Sequence, residues 1–181
     1  MEKIKKKKIY QNIYELNINF GKSKSIKNIS ENYIFNGRSV SAICFNRKLK
    51  IFYFIRQFRP NYFFNKFKVK PLEIVAGGIK RNESSRQAIN REIKEELGVA
   101  AVSLKKIDSL IIAPDCLEEI TDVYLAEVPV IKKFEINNPK EGEFIKIISL
   151  KKNEALELIN KNSTQNLVTK YALLKIRDIK I

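Results

Sequence analysis

Histidine is absent from the 181 residues, and that one gap removes whole classes of chemistry. Neither a Ser-His-Asp nor a Cys-His catalytic arrangement can be built, and no His-ligated zinc or iron site is available. Acid–base work falls to Glu, Asp, Lys, Tyr or metal-bound water. Cysteine is scarce as well: Cys44 and Cys116 have no C-x-x-C spacing. Nothing in that suggests a disulfide framework, and a reducing, cytoplasmic setting is the simplest expectation. Cys44 lies in an apolar stretch and reads as a small core residue. No apolar run approaches the roughly 18 residues that span a bilayer, so no membrane partner is expected. Lys3 to Lys8 is basic, but Ile9-Tyr10-Gln11-Asn12 follows it in place of an apolar signal core, so no targeting peptide is read. Internal repeats and low-complexity linkers are missing too.

Acid is the minority charge, with 20 Asp and Glu against 35 Lys and Arg and a net charge of +15. Such an excess invites a nucleic-acid reading. It is discounted here, because the excess is mostly lysine, scattered along the chain, with only Lys5 to Lys8 forming a block. Compositional drift accounts for that pattern, and its milder consequence is a field that steers anionic substrates inward.

Against this background, acids concentrated in one short stretch carry information. From Gly77 to Val99 the chain reads G-x5-E-x7-R-E-I-K-E-E-L-G-V. Ser84 or Ser85 is a natural N-cap, no Gly or Pro interrupts the run to Leu97, and Gly98 stands where helices stop in the left-handed conformation. Ile89, Ile93 and Leu97 recur at i, i+4 and i+8 and predict a buried stripe. Glu92 and Glu96 share a face, and Glu95 neighbours Glu92 at i+3. Arg91 can pair with Glu95 at i+4, but that offsets one charge only. The structural alternative is a solvated helix face, the usual fate of a charge run. A hard divalent cation answers the crowding better, since Mg²⁺ takes one or two carboxylates together with phosphate oxygens and waters.

The specified positions Gly77, Glu83, Arg91, Glu92, Ile93, Glu95, Glu96, Gly98 and Val99 resemble the Nudix box, with no insertion. The resemblance implies an α/β fold, an α/β/α sandwich around a mixed central sheet, and a Mg²⁺-dependent hydrolase with Mn²⁺ as the alternative ion. More loosely, residues 30–175 are similar to the branch of ADP-ribose pyrophosphatases and nucleoside diphosphate sugar hydrolases. Ile55-Arg56-Gln57-Phe58-Arg59 resembles that branch's strand-end motif, in which Arg59 would contact substrate. Leu72-Glu73-Ile74-Val75-Ala76-Gly77 resembles its entry into the box. There the Ala76 carbonyl would be a metal ligand, and Glu73 would either touch ligand or orient a box residue such as Arg91. Pro114 and Glu119 fall where the branch carries a substrate loop, although Pro114 is also a simple strand stop. Glu141-Gly142-Glu143-Phe144-Ile145 resembles the late acidic loop, with Glu141 as general base and Glu143 as metal ligand; ordinary loop acids are the alternative.

By this resemblance Glu92, Glu96 and Glu143 with the Ala76 carbonyl would hold the metal, and Glu95 would ligate or orient. Glu83 and Arg91 would brace the loop, with Gly77 and Gly98 at its turns. The reaction implied is hydrolysis of a nucleoside diphosphate sugar, foremost ADP-ribose to AMP and ribose 5-phosphate. The rivals are another nucleotide sugar (ADP-glucose, a UDP-sugar or GDP-mannose) and a non-catalytic module that senses nucleotide or nucleic acid. One departure bears on the substrate: Ala113-Pro114-Asp115-Cys116-Leu117 replaces a Ser-Pro-Gly-Gly type loop, losing two permissive glycines. A homodimer is also implied.

The remaining elements follow from periodicity. Strands are expected over 9–20, 27–36, Val40–Phe45, Leu49–Ile55, Leu72–Ala76 and near 102–112, 120–130 and 144–149, with helices at about 151–161 and 164–177. Residues 1–36 are expected to form a small N-terminal β segment, to which the resemblance gives a dimerisation role, and residues 37–181 the hydrolase domain that the resemblance implies. Tyr62, Phe63, Phe64 and Phe67 either stack on a base, make a dimer contact or reflect composition.

Overall fold

The computed structural model describes residues 3–19, 28–59, 70–138, 143–160 and 166–181. Glu141 and the aromatic run Tyr62 to Phe67 lie outside the described residues. The chain divides into two compact units, one of residues 1–38 with 111–120 and one of residues 39–110 with 121–181.

In the first unit, β1 (Lys3–Tyr10) and β2 (Ile13–Asn19) form an antiparallel hairpin, and β2 pairs antiparallel with the start of β3 (Asn28–Asn46). The expectation of one strand over 9–20 is thus corrected to two. Gln11, at φ 39°, takes the positive backbone angle that reverses the chain. The basic run is a strand, and Lys6 shows how it is covered. Lys6 pairs in register with Leu16 and sets its ammonium 4.4 Å from the Tyr14 ring centroid and 3.3 Å from Glu118. Tyr14 stacks on Tyr33 with centroids 5.7 Å apart and meets Phe35 edge-on at 6.1 Å. These contacts give a thin sheet some apolar cover.

In the second unit, β3 pairs antiparallel with β4 (Ile51–Arg56) across a turn in which Asn46 Oδ1 accepts from the Leu49 amide. β4 in turn pairs with β5 (Leu72–Glu73) and β10 (Glu143–Lys151), and β10 with β9 (Glu135–Asn138). β6 (Val75–Gly78) pairs with β3. The single strand expected over Leu72–Ala76 is split at Ile74, whose amide donates instead to Thr169 Oγ1 at 3.2 Å. β7 (Ser103–Ile111) pairs with β8 (Leu117–Glu127), which lies along β3. The Ile34 amide reaches the Cys116 carbonyl, and the Val128 amide reaches that of Phe45. These bonds ascend both segments together, so β3 and β8 run parallel and the sheet is mixed. The strands expected over 27–36 and 40–45 are one continuous strand, because residues 37–39 stay extended apart from Gly37 at φ 77°.

Helices cover both faces of this sheet. Val40, Ala42, Cys44, Tyr53 and Ile55 pack with Ala88, Ile89, Ile93 and Leu97 of α1 (Ser85–Leu97). Ile43, Phe45, Phe52 and Phe54 point the other way, onto Ala155 of α2 (Lys152–Glu157) and Ala172, Leu173 and Ile176 of α3 (Leu167–Ile176). The period-2 alternation of β3 and β4 is therefore apolar on both faces, as a strand buried in a sandwich requires. Ile89, Ile93 and Leu97 are almost wholly buried, each worth about 1.5–3 kcal/mol of transfer free energy. Burial pushes the Cys44 thiol well above its ordinary range. Among the described residues no helix is long and apolar enough to cross a membrane.

Candidate active site

The acidic helix is built from its ends inward. Ser84 is the N-cap: its side chain accepts from the Gln87 amide, and Gln87 Oε1 accepts in return from the Ser84 amide at 2.9 Å. At the other end Gly98 takes φ 71°, and its amide closes on the Lys94 carbonyl. With both ends fixed, the inward face carries Glu92 and Glu96 beside Ile89, Ile93 and Leu97. Two carboxylates inside an apolar stripe are costly unless something holds them.

Arg91 holds most of this charge. Its Nε donates to Glu83 Oε1 at 2.9 Å, Nη1 to Glu92 Oε1 at 2.6 Å and to Glu95 Oε2 at 2.8 Å, and Nη2 to Glu83 Oε2 at 3.0 Å and the Gly78 carbonyl at 2.8 Å. One guanidinium thus gathers three carboxylates and ties the loop after β6 to the helix. Glu83 is held at about 2, chiefly by its bonds to Arg91 and also by the Lys80 amide. Glu92 behaves differently: burial raises its carboxyl above the ordinary range and outweighs Arg91 beside it. Glu96 accepts from the Ala76 amide at 3.3 Å.

Gly77 explains why the loop can lie so close. A Cβ there would stand 2.0 Å from Glu92 Oε1, so the carboxylate occupies the space that a side chain would fill. Beyond this contact opens a cavity of about 420 Å³ lined by Ala76, Gly77, Glu92, Glu95 and Glu96 on one side and Gln57 and Arg59 on the other. Arg59 reaches it from the end of β4, steadied by Glu73: Nε lies 3.1 Å from Oε1 and Nη2 2.6 Å from Oε2. Gln57 Nε2 approaches the same carboxylate at 3.5 Å. Glu73 is expected to touch ligand or to orient a box residue such as Arg91; its carboxylate instead bonds Arg59 and makes no side-chain bond to Arg91. Gln57 and Lys80 also line the cavity, and the sequence reading does not single them out. The short Gln57-Phe58-Arg59 segment that leaves β4 beside β5 is the signal that could have drawn Gln57 in.

The remaining expected positions fall elsewhere. Pro114 and Glu119 belong to the first unit, where they line a hollow of about 520 Å³ with Lys6, Leu16 and Tyr33, and Glu119 accepts from Asn36 Nδ2 at 2.7 Å. Glu143 opens β10.

A domain-family model described as the NUDIX domain matches residues 35–169. The chain belongs to the Nudix family. Its Nudix fold is shared with the crystal structure of an ADP compounds hydrolase, at TM-score 0.76 and 17% identity over 98% of this chain and 92% of that one. An ADP-ribose pyrophosphatase of Bacillus subtilis (strain 168) is 30% identical over 102 residues, 56% of this chain and 55% of the relative. A GDP-mannose pyrophosphatase of Escherichia coli O1:K1 / APEC is 26% identical over 123 residues, 68% of this chain and 64% of the relative. The chain thus spans less than two thirds of the length of each of these two relatives.

The Nudix cavity suits a hard cation in its donors. Glu92, Glu95, Glu96 and the Ala76 carbonyl offer oxygen alone, and Mg²⁺ asks for one or two carboxylates, filling its other positions with water and phosphate oxygen. Among the described residues no three acidic or cysteine side chains are grouped so as to hold an ion as they stand. Glu92 and Glu95 are drawn to Arg91, and Glu96 to the Ala76 amide.

Proposed function

We propose that the protein is a pyrophosphohydrolase of nucleoside diphosphate sugars, with ADP-ribose, cleaved by water to AMP and ribose 5-phosphate, as the foremost substrate. The observation that carries the reading is one cavity bringing Glu92, Glu95 and Glu96 of α1 together with Arg59 and the Ala76–Gly77 segment of β6. Metal-free, that collection of acids repels a diphosphate. Glu92, Glu96, Glu143 and the Ala76 carbonyl would hold Mg²⁺, with Glu95 ligating or orienting, and the site would then accept one. The ion supplies charge neutralisation of the pyrophosphate and Lewis-acid stabilisation of the leaving phosphate.

The chain's own residues do the remainder. Arg59, held at the cavity by Glu73 through Nε and Nη2, supplies positive charge toward an anionic substrate. Arg91 and Glu83 keep the loop against the helix so that Glu92 is placed before substrate arrives. Glu92 and Glu96 are both buried residues that line the cavity, so they would be the carboxylates offered to an ion there. Glu141 takes the proton of the attacking water in this reading, and the active protein is a homodimer.

The relative named GDP-mannose pyrophosphatase aligns over more of the chain than the one named ADP-ribose pyrophosphatase. Together with the altered Ala113–Leu117 loop, that favours a second reading within the class, a different nucleotide sugar. The deciding experiment incubates purified protein with ADP-ribose, ADP-glucose, UDP-glucose and GDP-mannose in Mg²⁺, with and without EDTA, and follows nucleoside monophosphate release. Metal-dependent release from one of them, lost by orders of magnitude in Glu92→Gln and Glu96→Gln while both stay folded, is expected. No turnover of any of these compounds would reject the nucleotide-sugar reading and shift weight to a sensor module. Light scattering in solution tests the dimer.

A further inference from the structure

We propose that Lys80 is a specificity residue of the Nudix cavity, contacting the substrate's diphosphate and setting its affinity. The inference rests on the nucleotide-diphosphate reading of that cavity and goes beyond it by assigning a residue outside the box's specified positions.

Three cationic side chains line the cavity, Arg59, Arg91 and Lys80, and they differ in how far their charge is already engaged. Arg91 is taken up by Glu83, Glu92, Glu95 and the Gly78 carbonyl. Arg59 turns both Nε and Nη2 to Glu73. Among the described residues Lys80 has no such partner for its ammonium, although its charge is close enough to favour the ionised forms of Glu83 and Glu92. An incoming diphosphate carries negative charge toward Glu92, Glu95 and Glu96, and Lys80 is the side chain placed to offset it without first breaking an ion pair.

The backbone of Lys80 is pinned while its head is not. Its amide donates to Glu83 Oε2 at 2.9 Å, and its carbonyl accepts from the Glu83 amide at 3.1 Å. Asn82, at φ 64°, turns the chain between them. Glu83 is itself clamped by Arg91. The stem of Lys80 therefore starts from a rigid turn at the cavity's rim, and its four-carbon chain searches a small volume. Such an anchored cation loses less freedom on binding than one on a mobile loop.

The test uses the full chain and two independent readouts. The first is the KM and kcat of Lys80→Met and Lys80→Arg on the nucleotide sugar that wild type turns over. The second is binding of inorganic pyrophosphate with Mg²⁺ by calorimetry, which needs no turnover. Lys133→Met removes the same charge elsewhere on the surface and controls for the overall field. Losing one charge-assisted contact to phosphate should raise KM, and weaken pyrophosphate binding, by about tenfold or more, with kcat changing less than KM. Lys80→Arg should recover most of the loss and Lys133→Met should show none of it. Equal pyrophosphate affinity in wild type and Lys80→Met, or a parallel loss in Lys133→Met, overturns the assignment. Pyrophosphate binding that depends on Lys80 in a protein that turns over no nucleotide sugar would uphold it and reject only the substrate reading.

Discussion

Gly77→Ala tests the packing of the site most sharply, because the structure gives the size of the conflict. The new Cβ would meet Glu92 Oε1 at 2.0 Å, Cδ at 2.1 Å and Oε2 at 2.6 Å. Ordinary contact needs about 3.5 Å, so the carboxylate must retreat by about 1 Å or more. The fold can tolerate that retreat. It breaks the 2.6 Å bond from Arg91, worth about 1.5–3 kcal/mol as a charged hydrogen bond, but it also lets Glu92 escape burial that disfavours its charge. A net loss of about 1–2 kcal/mol lowers the melting temperature of a chain this long by about 2–8 °C. For function the same step is severe, since a misplacement of about 1 Å in a preorganised site costs on the order of a hundredfold. Initial rates at saturating nucleotide sugar and Mg²⁺, paired with a thermal melt, separate the two. A Cβ at Gly78 would meet nothing within 4 Å, so Gly78→Ala should cost the fold little by comparison. A Gly77→Ala protein with near wild-type kcat and unchanged melting would show that Glu92 neither stands beneath Gly77 nor takes part in turnover.

Arg91→Gln removes the guanidinium shared by Glu83, Glu92 and Glu95 and leaves like charges facing one another. Its melting temperature should fall by about 5 °C or more and recover partly with Mg²⁺, whereas a melt insensitive to the substitution would refute the clamp. Acid should weaken the fold through two groups held at about 2. Arg91 holds Glu83 there, and Asp122 is lowered despite its burial by Lys106, Ser109 and Ser85. Both folded values lie below the ordinary ones of about 4.3 and 3.9, so the unfolded chain binds the extra protons. Their contribution is complete above about pH 4.3 and is lost as pH falls toward about 2. Urea midpoints from pH 7 to 2.5 should show that limb, shallower in Asp122→Asn; identical slopes would count against it.

Much of the site's chemistry is written locally. The capping box at Ser84 and Gln87, the left-handed Gly98 and the stripe of Ile89, Ile93 and Leu97 are all short-range properties of one helix, so period and turn chemistry alone define α1. The spacing of Glu92, Glu95 and Glu96 follows from that helix, as does the absence of histidine-based alternatives. The two-faced alternation of Val40 to Phe45 and Phe52 to Ile55 likewise announces strands buried on both sides. Other features needed the tertiary structure, because they depend on residues far apart in the chain. Periodicity places no strand over Lys3 to Lys8, and only the tertiary structure pairs it with β2, where Lys6 meets the aromatic face of Tyr14, Tyr33 and Phe35. Residues 111–120 join the first unit through Cys116 meeting Ile34, a contact between distant parts of the chain. Glu73 finds Arg59 because β4 and β5 are neighbours. Spacing predicts that Arg91 can reach Glu95; the fold alone brings Glu83 and the Gly78 carbonyl to the same guanidinium, and sets Lys80 beside them with its charge uncommitted. A helix specifies which side chains share a face, but pairing and packing decide what that face meets.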